Sequence, residues 1–340
     1  MEIIAHSQPS LGTEEASAAA KVVESGYLAY GPQCHAFEEE LASYFGRRHA
    51  VVMSNGHAAL EVYLESLNLD GNSPVVIPSY ACAALRHAVH RSGLRPILKD
   101  VEQSTLGLGE TDPAAGAVVA ANMFAVPCRA AETKGYVLED CAMGAIPGKT
   151  ATRSHAALLS FYVTKMLTTG QGGALLTDDE NLADEWRCIL QYDNQSKYRA
   201  VSNRHLTDIQ AAIGRVQLKR YQEFLEKRKN LFACYHKLLT ERGLKLHPMV
   251  NAAADKILFR LPLLVNSNQR DPLIDFLKQK NVEAKKPVWQ PLHVEWENQG
   301  DVFPVTESAD QSIVSLPFYP NLTQEQALYI VDSVNAYLGK

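Results

Sequence analysis

Three polar groups in this chain stand where apolar runs stop. Lys165 lies in "SFYVTKMLTTGQGGALLT" (residues 160–177), between hydroxyl-bearing residues and a Gly-x-Gly-Gly turn. Ala156, Ala157, Leu158, Leu159, Phe161 and Tyr162 lie before it, and Ala174, Leu175 and Leu176 follow the glycines, so two segments with the composition of buried strands flank it. Burial favours the neutral amine, and a neutral amine is a nucleophile. A strand-end lysine with its head in water is the plain alternative. Asp140 ends the apolar run "YVLED", and a carboxylate at a partly buried strand end wants a cation or several donors. Alternatively it caps a helix that follows. Ser54-Asn55-Gly56-His57 ends "HAVVM" and opens a helical stretch, and a glycine turn at a helix start offers backbone N–H groups to an anion. That last signal is weak alone, because many such turns contain glycine.

Taken together, a nucleophilic lysine, a strand-end carboxylate and an anion site fit one cofactor. Pyridoxal phosphate uses a lysine for its aldehyde, a carboxylate opposite its pyridinium nitrogen and a pocket for its phosphate. Other chemistries lack their residues. There is no HExxH, Walker A or G-x-G-x-x-G pattern, and the six cysteines are scattered without a C-x-x-C pair, so no metal site is expected.

The elements that must position these groups alternate. "GTEEASAAAKVVESG" predicts a helix with Thr13 as N-cap and Gly26 as terminator, and a second helix spans about 35–45, closed by Gly46. The apolar runs "HAVVM", "PVVIPSY", "RPILKDV", "GAVVAANMF" and "GYVLEDC" predict strands, several of them separated by helical stretches. This order of near-continuous apolar strands argues for a mainly parallel sheet covered by helices on both faces, whose ligands sit beyond the strands' carboxyl ends. One long helical pattern is expected from about Asp208 to Leu239, followed by a smaller α+β region containing "KILFRLPLLV" and "SIVSLPF". At 340 residues the chain divides into a large domain with an N-terminal arm, residues 1–230, and a small domain, 231–340. A net charge of −5 without a basic run gives no case for nucleic acid or anionic membrane. The N-terminus has no basic and apolar leader, and no apolar stretch reaches about 18 residues, so a soluble cytoplasmic protein is expected.

These blocks resemble the DegT/DnrJ/EryC1/StrS family of sugar aminotransferases, fold-type-I pyridoxal-phosphate enzymes. The likeness runs nearly the full length, through "PSLGTEEASAAAKVVESGYLAYGPQCHAFEEELASYFG", "VVMSNGHAALEVYLESL", "VVIPSYACAALRHAVHRSGLRPILKDVE", "YVLEDCAMG", "SFYVTKMLTTGQGGALLTDD", "NRHLTDIQAAIGRVQLKRY" and "SIVSLPFYPNLTQEQ". It implies that Lys165 binds the cofactor and moves the proton, and that Asp140 keeps the pyridine nitrogen protonated. Asn55, Gly56, His57 and Ser160 would hold the phosphate, with Cys82 and Met143 near the ring. Asn203 would reach the phosphate from a neighbouring subunit, which implies a homodimer with shared sites. Tyr27, Gly31 and His293 would face substrate, although His293 reads equally as a satisfied loop histidine and Tyr27 as plain packing.

Several positions depart from the family's pattern. His57 replaces a threonine, Cys82 an aromatic, Met143 a glutamine or histidine, Asn122 a histidine, and His205 an arginine, with Arg204 shifted by one. Tyr80, two residues from Cys82, need not face the same way. The resemblance implies transfer of an amino group from an amino acid, glutamate being the expected donor, to a nucleotide-linked keto sugar in amino-sugar, polysaccharide or antibiotic biosynthesis. A non-catalytic or regulatory relative would not need both Lys165 and Asp140. A dehydratase of the same fold usually carries histidine in place of the lysine.

Overall fold

Apolar runs of four or five residues, each stopped by a polar or small residue, build a seven-stranded sheet in the computed structural model, which describes residues 2–109, 111, 116–132, 135–152, 154–193, 198, 200–294 and 301–339. Helices α1 (Thr13–Ser25) and α2 (Pro32–Phe45) precede strand β1 (His49–Met53) and α3 (Gly56–Ser66). Then come β2 (Pro74–Pro78), α4 (Ala84–Arg91), β3 (Arg95–Lys99), β4 (Ala117–Ala121), β5 (Val137–Asp140), β6 (Ala156–Ser160), β7 (Gly173–Thr177) and α5 (Glu180–Leu190). The strand order is β1-β7-β6-β5-β4-β2-β3. β6-β5-β4-β2-β3 are parallel throughout, while β7 runs antiparallel to both β1 and β6. β4 and β7 are buried along their whole length, as strands covered on both faces must be. β3 lies at an edge and carries Arg95, Pro96 and Lys99, residues that discourage pairing with another chain.

The helix starts and stops follow local chemistry. Gly26 and Gly46 end α1 and α2 at φ 76° and 69°, a left-handed conformation glycine adopts without strain. The N-cap of α1 is Gly12, with Thr13 its first helical residue; Glu15 accepts the Gly12 amide at 2.8 Å. The long pattern from Asp208 to Leu239 is two helices, α6 (Asp208–Lys219) and α7 (Tyr221–Glu241), broken at Arg220, which leaves helical geometry at ψ −2°. Apolar periodicity continued across the break because both helices bury the same side. Asp208 fixes the start of α6 by accepting the amides of Gly31, Gln33 and Cys34 at 2.9, 3.1 and 2.9 Å, which locks α6 to α2.

After α7 the chain forms β8 (Lys245–Leu246), β9 (Leu261–Leu264), α8 (Arg270–Gln279), α9 (Pro304–Ser312), β10 (Ile313–Leu316) and α10 (Gln324–Leu338), with a three-stranded antiparallel sheet β10-β9-β8. Residue 230 falls within α7, and that helix enters two cores. Tyr221, Phe224 and Leu225 pack with α2, β6 and β7, while Leu231, Phe232, Tyr235 and Leu239 pack with the smaller sheet. The second core also takes in Tyr80, Val101, Met123 and Phe124, which lie just beyond the carboxyl ends of β2, β3 and β4. Apolar mass is thereby laid over the edge where a parallel sheet holds its ligands.

The N-terminal arm is tied to this second core. Ile4 bridges Val282, and the His6 Nε2 and Ser315 Oγ are 2.9 Å apart. Burial, with Arg260 and Lys285 nearby, pushes His6 from 6.5 down to about 3, and burial pushes His247 down to about 4. Both rings are neutral when folded and take protons more readily when unfolded, so their contribution to stability is complete above about 6.5 and is lost as pH falls towards 3. We expect the melting temperature to drop across that window and the His6→Gln variant to show a shallower slope; parallel curves would count against a neutral buried His6.

Candidate active site

Strand register gathers the predicted groups. Ser160 pairs with Gly173, and Gly173 pairs on its other side with Met53, so the ends of β6 and β1 and the start of β7 lie in one row. Asp140 ends β5 beside Leu158 of β6. Beyond Met53 the chain turns through Ser54 and Asn55 into α3. That turn is pressed against the row: a Cβ on Gly173 would stand 2.6 Å from Asn55 C and 2.7 Å from both Asn55 O and Gly56 N. A Cβ on Gly56 would meet Ser160 Cβ at 3.1 Å and Oγ at 3.3 Å. Neither glycine has a positive φ, so what both positions require is room.

Asn55 caps α3 by accepting the Ala58 amide on Oδ1 at 2.8 Å. The amides of Gly56 and His57 remain in the open first turn, where partial positive charge collects, and the Ser160 side chain lies against Gly56. This turn has the geometry of an anion cradle. The His57 imidazole turns back along α3, with Nε2 3.2 Å from Glu61 Oε1. Glu61 also pairs with Arg91 and, at 3.3 Å, with Arg204.

Lys165 sits in the β6–β7 connection rather than on a strand. The loop is closed by Phe161 N to Gly172 O at 2.8 Å, Thr169 N to Phe161 O at 3.0 Å and Lys165 N to Tyr162 O at 2.8 Å. Only Gly170 of its three glycines needs a left-handed backbone, at φ 81°. The ammonium end lies 5.4 Å from the centre of the Phe259 ring. Burial holds its pKa below the ordinary lysine value; Asp140 opposes that shift and Arg260 adds to it. Asp140 is buried in turn, which pushes its carboxyl upward against the Ala142 amide and the charge of Lys165. No ion pair joins the two side chains; they act on each other through space. No helix follows Asp140: its Oδ1 accepts the Ala142 amide at 2.8 Å in a turn, so the helix-cap alternative is set aside.

The altered positions have partners of their own. Cys82 is exposed, close enough to act on the charge of Lys165, and with Met143 and Trp289 lines a cleft of about 270 Å³. Met143 Sδ accepts the Phe124 amide at 3.0 Å. Tyr80 faces away from this cleft's lining, buried in the second core. Asn122 is buried; it donates to Glu139 Oε1 at 2.8 Å and accepts the Cys128 amide at 2.9 Å. Asn203 is exposed, and its Oδ1 accepts the His205 amide at 3.2 Å. Its segment runs beside the cradle turn of its own chain, where Ser54 N donates to Arg204 O at 2.7 Å. Arg204 clamps Glu65 with bonds of 2.9 and 2.7 Å.

Of the residues expected to face substrate, Tyr27 is exposed on a groove with α1 and α6, and Gly31 is packed on Asp208. No contact within the described chain joins either to Lys165. His293 is tied down, with Nδ1 2.6 Å from Ser79 Oγ and its ring stacked on Phe303 at 4.6 Å. Two features escaped the sequence reading. Phe259 and Arg260 stand beside Lys165, and the only signal was an arginine interrupting the apolar run "KILFRLPLLV". Phe124 and Ala125 adopt left-handed φ of 57° and 67°, a strained pair that Met143 and the Phe259 amide, bonded to Phe124 O at 2.9 Å, hold in place.

A mainly parallel α/β sheet whose carboxyl edge carries a buried lysine, a strand-end carboxylate and a helix-start anion cradle defines the fold-type-I class of pyridoxal-phosphate enzymes. The chain belongs to the DegT/DnrJ/EryC1/StrS aminotransferase family, which matches residues 9–335. It is 26% identical to the spore coat polysaccharide biosynthesis protein SpsC of Bacillus subtilis, over 97% of this chain and 95% of that protein. It is also 26% identical to GDP-perosamine synthase of Escherichia coli O157:H7, over 99% of each. The aminotransferase TlmJ of Streptoalloteichus hindustanus superposes with a TM-score of 0.90 over 99% of both chains, at 26% identity. The protein is accordingly a sugar aminotransferase, dependent on pyridoxal phosphate. No helix among the described residues is long and apolar enough to cross a membrane.

The cradle's dependence on room gives a direct test. Gly173→Ala places a methyl group where backbone already stands, an overpacking cost of about 1–3 kcal/mol that falls on the 55–56 turn. We expect pyridoxal phosphate affinity to fall at least about tenfold, measured by fluorescence titration, with the melting temperature of the cofactor-free protein lowered by only a few degrees.

Proposed function

We propose that this chain transfers an amino group from an amino acid, with glutamate as donor, to a keto sugar carried on a nucleotide, and that it works in the cytoplasm as a homodimer with shared sites. The observation that carries the reading is the placing of Lys165 and Asp140 at one sheet edge, the carboxylate buried, the half-buried lysine lowered in pKa by desolvation, and neither neutralised by direct contact. A buried carboxylate without a cation is costly, and a protonated pyridine nitrogen would answer it. A lysine whose pKa burial holds below the ordinary value would answer an aldehyde. The cradle of Gly56 and His57 amides and the Ser160 hydroxyl suits a phosphate. The names of relatives that make perosamine on a nucleoside diphosphate or build spore polysaccharide support a sugar acceptor.

When bound, the cofactor supplies the electron sink for the carbon that loses its proton. The chain's own groups do the rest. Lys165 holds the cofactor and, once released, carries the proton between the donor carbon and the cofactor. Asp140 keeps the ring nitrogen charged, and the second core over the strand ends excludes water. Cys82, Met143 and Trp289 border the cleft through which a sugar would enter.

Borohydride treatment of the holoenzyme should fix the cofactor to Lys165, read by peptide mass spectrometry, and Lys165→Ala should abolish turnover with the fold intact. Absence of an adduct at saturating cofactor would favour a non-catalytic relative. Asp140→Asn keeps an acceptor for the Ala142 amide but removes the charge, so we expect the half-reaction to slow by at least about 10² with little change in melting temperature. An unchanged rate would reduce Asp140 to a turn former.

Sharing of sites is tested by mixing. If Asn203 reaches the partner's phosphate, a heterodimer of Lys165→Ala and Asn203→Ala chains has one site with both lesions and one with neither. Activity should then rise well above either parent variant after subunit exchange. Confirmed exchange without recovery would assign Asn203 to its own chain's cradle, beside which it runs.

A further inference from the structure

Two arginines flank the Phe259 segment without any carboxylate partner. Arg228, on α7, is spent on backbone: its Nη1 donates to the carbonyls of Leu258, Phe259 and Phe318 at 3.2, 2.9 and 3.3 Å. It is a clamp that fixes the backbone leading to Arg260. Arg260 itself has no hydrogen bond or ion pair among the described residues, and its Nε is buried without a partner. Its guanidinium stacks 4.8 Å from the centre of the Phe259 ring, the same ring that the Lys165 amine approaches at 5.4 Å. Burial lowers its pKa to about 10, which leaves it charged at neutral pH. None of the Arg260 donors meets a partner among the described residues, whereas Arg228 Nη1 is taken up by three carbonyls.

We infer that Arg260 is the subsite for the carboxylate of the amino donor. This rests on the transaminase reading above. A guanidinium resting 4.8 Å from an aromatic ring centre, with no partner of its own, keeps free the fork that a carboxylate accepts through two parallel bonds. Position selects the anion. The amine to be moved must arrive beside Lys165, and in an amino acid the carboxylate is one bond from the carbon bearing that amine. The diphosphate of a nucleotide sugar lies across a sugar ring from the reacting carbon, out of a near neighbour's reach. The contact also has an electrostatic consequence. Arg260 disfavours the charged form of Lys165, so an anion that neutralises Arg260 makes Lys165 a better proton acceptor once the donor is in place.

The test uses glutarate, a dicarboxylate with no amine to transfer, titrated calorimetrically into the holoenzyme of the parent, Arg260→Gln and Arg260→Lys. Glutarate should bind the parent, roughly ten- to a hundredfold more weakly to Arg260→Gln, and with intermediate affinity to Arg260→Lys, which keeps charge but loses the fork. With L-glutamate, the half-saturating concentration for bleaching the cofactor's absorbance should rise by a similar factor in Arg260→Gln. A parent that does not bind glutarate, or a folded variant of either kind that binds it as tightly, overturns the assignment; so does weakening confined to a nucleoside diphosphate. If the parent reacts with no amino acid at all, the transaminase reading falls. If parent and variants react with equal half-saturation, only the role of Arg260 falls.

Discussion

An amine that must be uncharged to react and a carboxylate that must be charged to be useful are buried at the same edge of one sheet. Burial pushes both groups towards their neutral forms, lowering the lysine and raising the carboxyl, and the charge of each opposes that shift on the other. Everything nearby serves that burial. The second core covers the carboxyl ends of β2, β3 and β4, α7 ties that core to the sheet, and Arg260 adds a like charge beside the lysine. The N-terminal arm, bonded through His6 to Ser315, closes the same core from the other end of the chain.

Close approach is the second constraint. The row Ser160, Gly173 and Met53 brings the α3 turn close against β7 and β6; at 173 only glycine leaves room for it, and at 56 a methyl group would press on the Ser160 side chain. His57 points away to Glu61, so its backbone amide serves whatever its side chain is. Met143 and Cys82 are soft, polarizable neighbours in place of aromatic and amide groups, and Met143 supports the strained Phe124 turn that in turn bonds Phe259. Met143 is therefore linked to the Phe259–Arg260 pair through a short chain of contacts.

By itself the sequence determined what depends on local pattern. Near-continuous apolar runs declared buried parallel strands, Gly26 and Gly46 declared helix ends, and Lys165, Asp140 and the Asn55-Gly56 turn were visible because each is a polar group that interrupts such a run. The break at Arg220 was not legible, since two helices burying the same side continue one periodicity. The turn role of Asp140 was not legible either, since a capping carboxylate and a turn-forming one look alike along the chain. What only the tertiary structure decided was juxtaposition: that Gly173 must be glycine because Asn55 lies against it, that Tyr80 enters a core while Cys82 borders the cleft, and that Arg260, almost a hundred residues after Lys165, shares its aromatic ring. Period and composition report how each residue meets its sequence neighbours, whereas charge balance in a dry site is set by groups that meet only after the sheet has brought them together.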